Sequence, residues 1–251
     1  GVGMVRLNST RRVEDLVLHY APGVVTVGGR IQSGVIGPGC TNERYDDCRE
    51  LAQFCIDSKL PLLIDAGALD LVRGLVDYAD THSRSLSRTI LTPHHGEAAR
   101  LLTQLGSPRS RADVDADPAA SAKELASLTG AVILLKSATT VCSYLKHDQG
   151  SRTQEIVSIP QETPWAGVAG SGDVLAGTVA GIAAGFQARA ERRRGNPSIS
   201  EAECATLASL GAWVHAQAAL RASVGSEGEA RPIQAIDIAC ALPEIIGELC
   251  S

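Results

Sequence analysis

The sequence predicts an α/β fold, a sheet wrapped by helices, and two observations predict it. Short β-rich runs alternate with helical patterns along the chain. Glycine and polar residues fall where the predicted strands end, which is the edge at which such folds bind ligands. These are Gly37-Pro38-Gly39, Asp65, Thr92-Pro93-His94 and Lys136. With 251 residues and 44% hydrophobic content, the chain can bury a substantial core as one domain spanning 1–251.

Taken in order, "GMVRL" (3–7) reads as a strand, "RRVEDLVLHY" as a helix, "GVVTVG" as a short strand, and "SGVIGPG" (33–39) as a strand running into a turn. From Glu43 to Lys59, Leu51, Phe54 and Cys55 repeat at helical spacing. "LPLLIDA" (60–66) is a buried strand ending in an acid, "LVRGLVDYA" a helix, "RTILTP" (88–93) a strand, and "HGEAARLLTQL" a helix that follows at once. A polar stretch containing Pro108 and Pro118 precedes a helix from Ala119 to Thr129 and the strand "AVILLK" (131–136). "TTVCSYL" (139–145) and "TQEIVSI" (153–159) predict an antiparallel pair joined by the turn "KHDQG". A small-residue helix after Gly172, an alanine-rich helix over 200–222 and a helix over 233–249 complete the chain.

Composition narrows the function. A net charge of −5 gives no basic footprint for nucleic acid or an anionic membrane. The basic run Arg189–Arg194, next to Gly195, Asn196 and Pro197, reads as a solvated loop. Seven cysteines without CxxC or Cys/His spacing predict reduced thiols and a cytoplasmic location. Cys142, Cys204 and Cys240 sit in apolar contexts and are expected in the core. No apolar stretch is long enough to span a bilayer, and no signal peptide is read.

The chemistry concentrates in "WAGVAGSGDVLAGTVAG" (165–181). Successive amides of a glycine-rich turn at a helix N-terminus form an anion site. Asp173 is then either a base standing beside that site or a helix cap. The pattern is not GxxxxGK[ST], so it is no Walker-type loop. Gly177 and Gly181 read as close-packing positions. Lys136, followed by Ser137, Ala138, Thr139 and Thr140, is a phosphate clamp, an adenosine contact or a lysine on a turn. Glu97 can close a capping arrangement with Thr92 or His94. Asp65 is a ligand contact or a helix cap. His94 with Glu97 lacks the further ligands a metal site requires, so no residue is assigned to a metal.

Five segments in this order, "IGPGC", "PLLIDAGAL", "LTPHHGEAARLL", "VILLKSATT" and "TPWAGVAGSGDVLAGTVAGI", resemble the nucleotide-dependent NAD(P)H-hydrate dehydratases of the ribokinase-like superfamily. The resemblance covers essentially the whole chain. It implies a central, mostly parallel sheet with helices on both faces. It implies that Gly170, Ser171, Gly172 and Lys136–Thr140 contact ADP or ATP. Gly37, Gly39, His94 and Asp173 would contact hydrated NADH or NADPH, with Asp65 counted among the substrate contacts and Asp173 as catalytic base. Mg²⁺ would accompany the nucleotide phosphates. The reaction implied is phosphoryl transfer to the C6 hydroxyl followed by loss of phosphate. A small-alcohol kinase and a non-catalytic nucleotide-binding homologue are the competing readings. The chain departs from the family pattern at Ser137 (usually glycine), at Gly167-Val168 and at Cys40 (usually leucine). Its start resembles an internal point of the family's domain, so a first strand and helix are expected to be missing. A homo-oligomer is expected.

Overall fold

The structure, a computed structural model, describes residues 3–148, 151–193, 198–225 and 228–250. Six strands form one sheet, hydrogen-bonded side by side in chain order. β3 (Gly34–Ile36), β4 (Leu62–Ile64), β5 (Thr89–Leu91) and β6 (Val132–Leu135) run parallel. β7 (Thr139–Asp148) and β8 (Ser151–Pro160) continue it antiparallel. The predicted pair is therefore present, and β7 runs on through Lys146–Asp148, which the sequence places in a turn. Residues 149–150 of that turn lie outside the described residues.

Period-two side-chain alternation gives the sheet two apolar faces. Leu62, Ile64, Leu91, Ile133 and Leu135 pack under α2 (Tyr45–Asp57), α3 (Val72–His82), α4 (His95–Gln104), α5 (Arg111–Ala116) and α6 (Pro118–Thr129). Leu63, Ile90, Val132 and Leu134 pack against α7 (Ser171–Ala190) and α8 (Glu201–Ser223). Each such side chain contributes about 1.5–3 kcal/mol by leaving water. α9 (Ala235–Cys250) closes on α8 through Ile238 and Ile245. α1 (Arg11–Tyr20), with the separate parallel pair β1 (Val5–Arg6) and β2 (Val24–Val25), buries no residue of its own. Among the described residues no helix is long and apolar enough to cross a membrane.

Four sequence expectations change. The polar stretch before Pro118 contains α5, started by a capping box between Ser110 and Asp113. Cys142 and Cys204 are buried, but Cys240 is exposed, because α9 turns its Ile238–Ile245 stripe inward and Cys240 outward. Arg189 belongs to α7 rather than to a loop, while Arg194, the last residue of the basic run, and the adjoining residues 195–197 lie outside the described residues. Gly177 faces open space. The close approach of α7 and α8 is made by Gly211 instead, where a Cβ would lie 2.6 Å from Val179 Cγ2.

Candidate active site

Parallel register brings the strand ends together. The Asp65 N–H donates to Ile36 O at 3.1 Å, Thr92 N–H to Ile64 O at 3.1 Å and Lys136 N–H to Pro93 O at 2.8 Å. His94 and Lys136 face each other as a parallel bridge. Gly37 has φ 120°, and a Cβ there would lie 1.7 Å from Asp65 O, so the turn can close on β4 only with glycine.

At the centre Asp65 is 1% exposed and accepts a hydrogen bond from Lys136 Nζ at 2.6 Å. Asp65 stands at the start of a short 3-10 helix, Ala66–Leu71, yet its side chain caps nothing. Its partner is Lys136, 71 residues on. Lys136 thus reaches across the strand ends to Asp65 and is not a turn lysine. A buried carboxylate requires such a cation, since an unpaired charge there is strongly destabilising.

α7 enters from the other side. Gly170 is its N-cap with φ 85°, a left-handed conformation suited to glycine. A Cβ on Gly172 would lie 3.4 Å from Lys136 Nζ and 3.8 Å from Asp65 Oδ2. The Ser171 N–H is taken by Val168 O at 3.2 Å, and Gly172, the next residue of the first turn of α7, sits beside the Asp65–Lys136 pair. Asp173 follows one residue later and is exposed. Gly170 and not Asp173 is the N-cap; Asp173 lies in the first turn of α7, where a carboxylate complements the helix dipole.

His94 caps α4. Its Nδ1 accepts from Gly96 N–H at 3.0 Å and Glu97 N–H at 3.2 Å, while its own N–H donates to Glu97 Oε2 at 2.8 Å. Because Nδ1 accepts, the ring proton sits on Nε2, on a side chain that is 59% exposed. In the segment after Lys136, the Ser137 hydroxyl donates to Thr139 O, and Ala138 O accepts from Gln161 N–H at 2.9 Å. Ala138 and Thr139 are exposed, whereas Thr140 is buried and its Oγ1 accepts from Gln161 Nε2 at 3.5 Å.

With this geometry in place, comparison with known proteins is decisive. The model of the family described as NAD(P)H-hydrate dehydratase matches residues 7–242. The chain belongs to this family. A bifunctional NAD(P)H-hydrate repair enzyme Nnr from Mycobacterium tuberculosis is 34% identical over 187 residues, covering 72% of this chain and 35% of that protein. An ADP-dependent (S)-NAD(P)H-hydrate dehydratase from Neisseria meningitidis is 33% identical over 163 residues, covering 63% of this chain and 44% of that protein. The chain thus spans roughly a quarter to two fifths of the curated repair enzymes it matches. The Bacillus subtilis ADP/ATP-dependent NAD(P)H-hydrate dehydratase, co-crystallised with ATP/Mg²⁺ and soaked with CoA, superposes with TM-score 0.69 at 20% identity, covering 99% of this chain and 82% of that one. The fold is the ribokinase-like α/β arrangement.

One residue of this family member escapes sequence reading. His215, on α8 and 4% exposed, places Nε2 3.1 Å from Ser171 O and 3.2 Å from Ser171 Oγ, bracing the start of α7. Burial pushes its imidazole down to about 4, against the opposing effect of the Ser171 bond. The unfolded chain takes up this proton near the ordinary value of 6.5, so stability is complete above that pH and falls as pH drops from 6.5 towards 4. The loss amounts to about 3 kcal/mol. Urea unfolding at pH 7 and pH 4.5 measures it, and His215→Gln should flatten the difference. An equal pH dependence in that variant assigns the loss to other groups.

Gly172 gives a second check. Linkage makes ADP raise Tm in proportion to ln[ADP] if the amides of α7 bind it. Gly172→Val puts a branched side chain against Lys136 and the amides, and should abolish that rise. An unaltered rise places the nucleotide elsewhere.

Proposed function

We propose that the chain is a nucleotide-dependent NAD(P)H-hydrate dehydratase that repairs hydrated NADH and NADPH, using ADP in preference to ATP. The observation that carries this reading is the convergence of Gly37, the Asp65–Lys136 pair and Gly172, with Asp173 exposed at the same helix start. The family membership supports dehydration over simple alcohol phosphorylation, and the Neisseria and Bacillus relatives' names support the nucleotide.

Phosphoryl transfer needs mainly positioning and charge stabilisation. The Gly170–Gly172 turn, through the Gly172 amide, and Lys136 hold the transferring phosphoryl group, with Ser137–Thr140 along the nucleotide. His94 Nε2–H, Asp65 and the Gly37–Gly39 turn flank the hydrated nicotinamide. Asp173 orients the C6 hydroxyl and takes its proton as oxygen bonds to the terminal phosphorus of the nucleotide. The bridging P–O bond to that phosphorus breaks and releases AMP from ADP (or ADP from ATP). The C6–O bond then breaks with phosphate, a better leaving group than hydroxide, departing. Loss of a proton from C5 to solvent restores the C5=C6 double bond of the reduced dinucleotide. Among the described residues no cluster of three or more His, Cys, Asp or Glu can hold a metal. Magnesium would come with the co-substrate, as the counter-ion of its phosphates.

The scattered free thiols support a cytoplasmic setting. Trp213, Val224 and Leu249, exposed along α8, its end and α9, support self-association into a homo-oligomer. The test is incubation with hydrated NADH, Mg²⁺ and ADP or ATP, following recovery of reduced-nicotinamide absorbance. Recovery with release of phosphate supports the reading. A stable phosphoester means a kinase, and nucleotide binding without turnover a non-catalytic homologue.

A further inference from the structure

Cys40 directly follows the Gly37–Gly39 turn, and its N–H donates to Gly37 O at 2.8 Å, which fixes its backbone. Cys48 lies on the first turn of α2. Their Sγ atoms are 3.1 Å apart, so a bond between them needs an approach of about 1 Å. Both residues are partly exposed, unlike the buried Cys55, Cys142 and Cys204. A hydroperoxide can therefore reach this pair, and each sulfur has its partner already at hand.

We propose that Cys40 and Cys48 form a reversible dithiol–disulfide site oxidised by hydrogen peroxide. Cys40 sulfur attacks one peroxide oxygen and the O–O bond breaks, giving Cys40 sulfenic acid and water. Cys48 sulfur then forms the S–S bond and displaces hydroxide, which leaves as water with the Cys48 proton. Two thiols and one peroxide thus yield one disulfide and two waters. Cys40 lies between the exposed Gly39 and Thr41 and is the sulfur that peroxide meets first, while burial, reinforced by the Cys40 thiol, pushes the Cys48 thiol up to about 12.

The bond would tie three parts of the cleft wall together. A Cβ on Gly67 would lie 2.5 Å from Cys40 O, so the turn presses on the 3-10 helix after Asp65. Tyr45 Oη, on the same turn of α2 as Cys48, donates to Gly67 O at 3.0 Å. Any effect on turnover rests on reading Gly37–Gly39 as a substrate contact. The formation of the bond does not.

The test treats the full chain with hydrogen peroxide, alkylates the remaining thiols, and maps peptides by mass spectrometry beside thermal unfolding. The expected result is a Cys40–Cys48 linked peptide that dithiothreitol removes, with Tm raised by about 5 °C by closure of a short loop. Cys48→Ser should instead accumulate Cys40 sulfenic acid, trapped with dimedone, without the rise in Tm. Alkylation of both cysteines after peroxide, linkage through Cys240 or Cys250 with this pair still reduced, or the same rise in Cys48→Ser would overturn the proposal. These readouts need no substrate, so a failed dehydratase assay leaves them intact.

Discussion

Replacing Asp173 with asparagine is expected to lower kcat by about 10²–10⁴-fold, the span of a lost general base. Asparagine keeps the shape of the side chain but cannot take the hydroxyl proton. The fold should tolerate it. Asp173 is exposed, Gly170 is the N-cap, and among the described residues the carboxylate has no hydrogen-bonding partner to lose. ADP affinity, resting on the α7 amides and Lys136, should be kept. Steady-state kinetics with ADP titration separates the two effects. A variant retaining more than about a tenth of kcat removes Asp173 from the role of base.

Lys136→Met should destabilise the protein by about 3–5 kcal/mol, because it leaves the buried Asp65 carboxylate without its cation. Methionine occupies much of the same space, so the loss reports charge rather than a cavity. Adding Asp65→Asn removes the stranded charge, and the double variant should recover most of the stability. It should not recover nucleotide binding, since the phosphates still lack Lys136. Urea unfolding gives the first comparison and ADP titration the second. A loss below about 1 kcal/mol in the single variant would mean that solvent screens the pair, as it does at exposed sites.

The strand ends were legible because a buried strand announces itself as an apolar run, and a polar residue closing it has few structural reasons to be there. "LLID" and "ILLK" therefore marked Asp65 and Lys136. Their pairing was not legible, since it depends on the register of β4, β5 and β6 over 71 residues. His215 was hidden more deeply. Its neighbours in the alanine-rich helix are apolar, and its partner Ser171 is 44 residues away on another helix. α5 carries a lone buried apolar residue, Val114, so periodicity was silent, although Ser110 and Asp113 spelled its capping box. Cys240 was misplaced because an apolar neighbourhood in sequence does not say which face of a helix turns inward. The role of His94 was partly legible. The spacing to Glu97 predicted a capping box, and the structure chose His94 over Thr92 as its other half.

The division of β4 between two cores gives the strand something like a reading frame. Leu62 and Ile64 belong to one helical layer and Leu63 to the other, and Asp65 is the next step of the same alternation. Substitutions among these aliphatic residues change volume but leave the frame intact. Inserting or deleting one residue would exchange the faces of everything downstream in the strand and swing Asp65 away from Lys136. Across descendants of this chain, the aliphatic residues Leu62–Ile64 can drift in identity, but the segment between Pro61 and Ala66 cannot change in length.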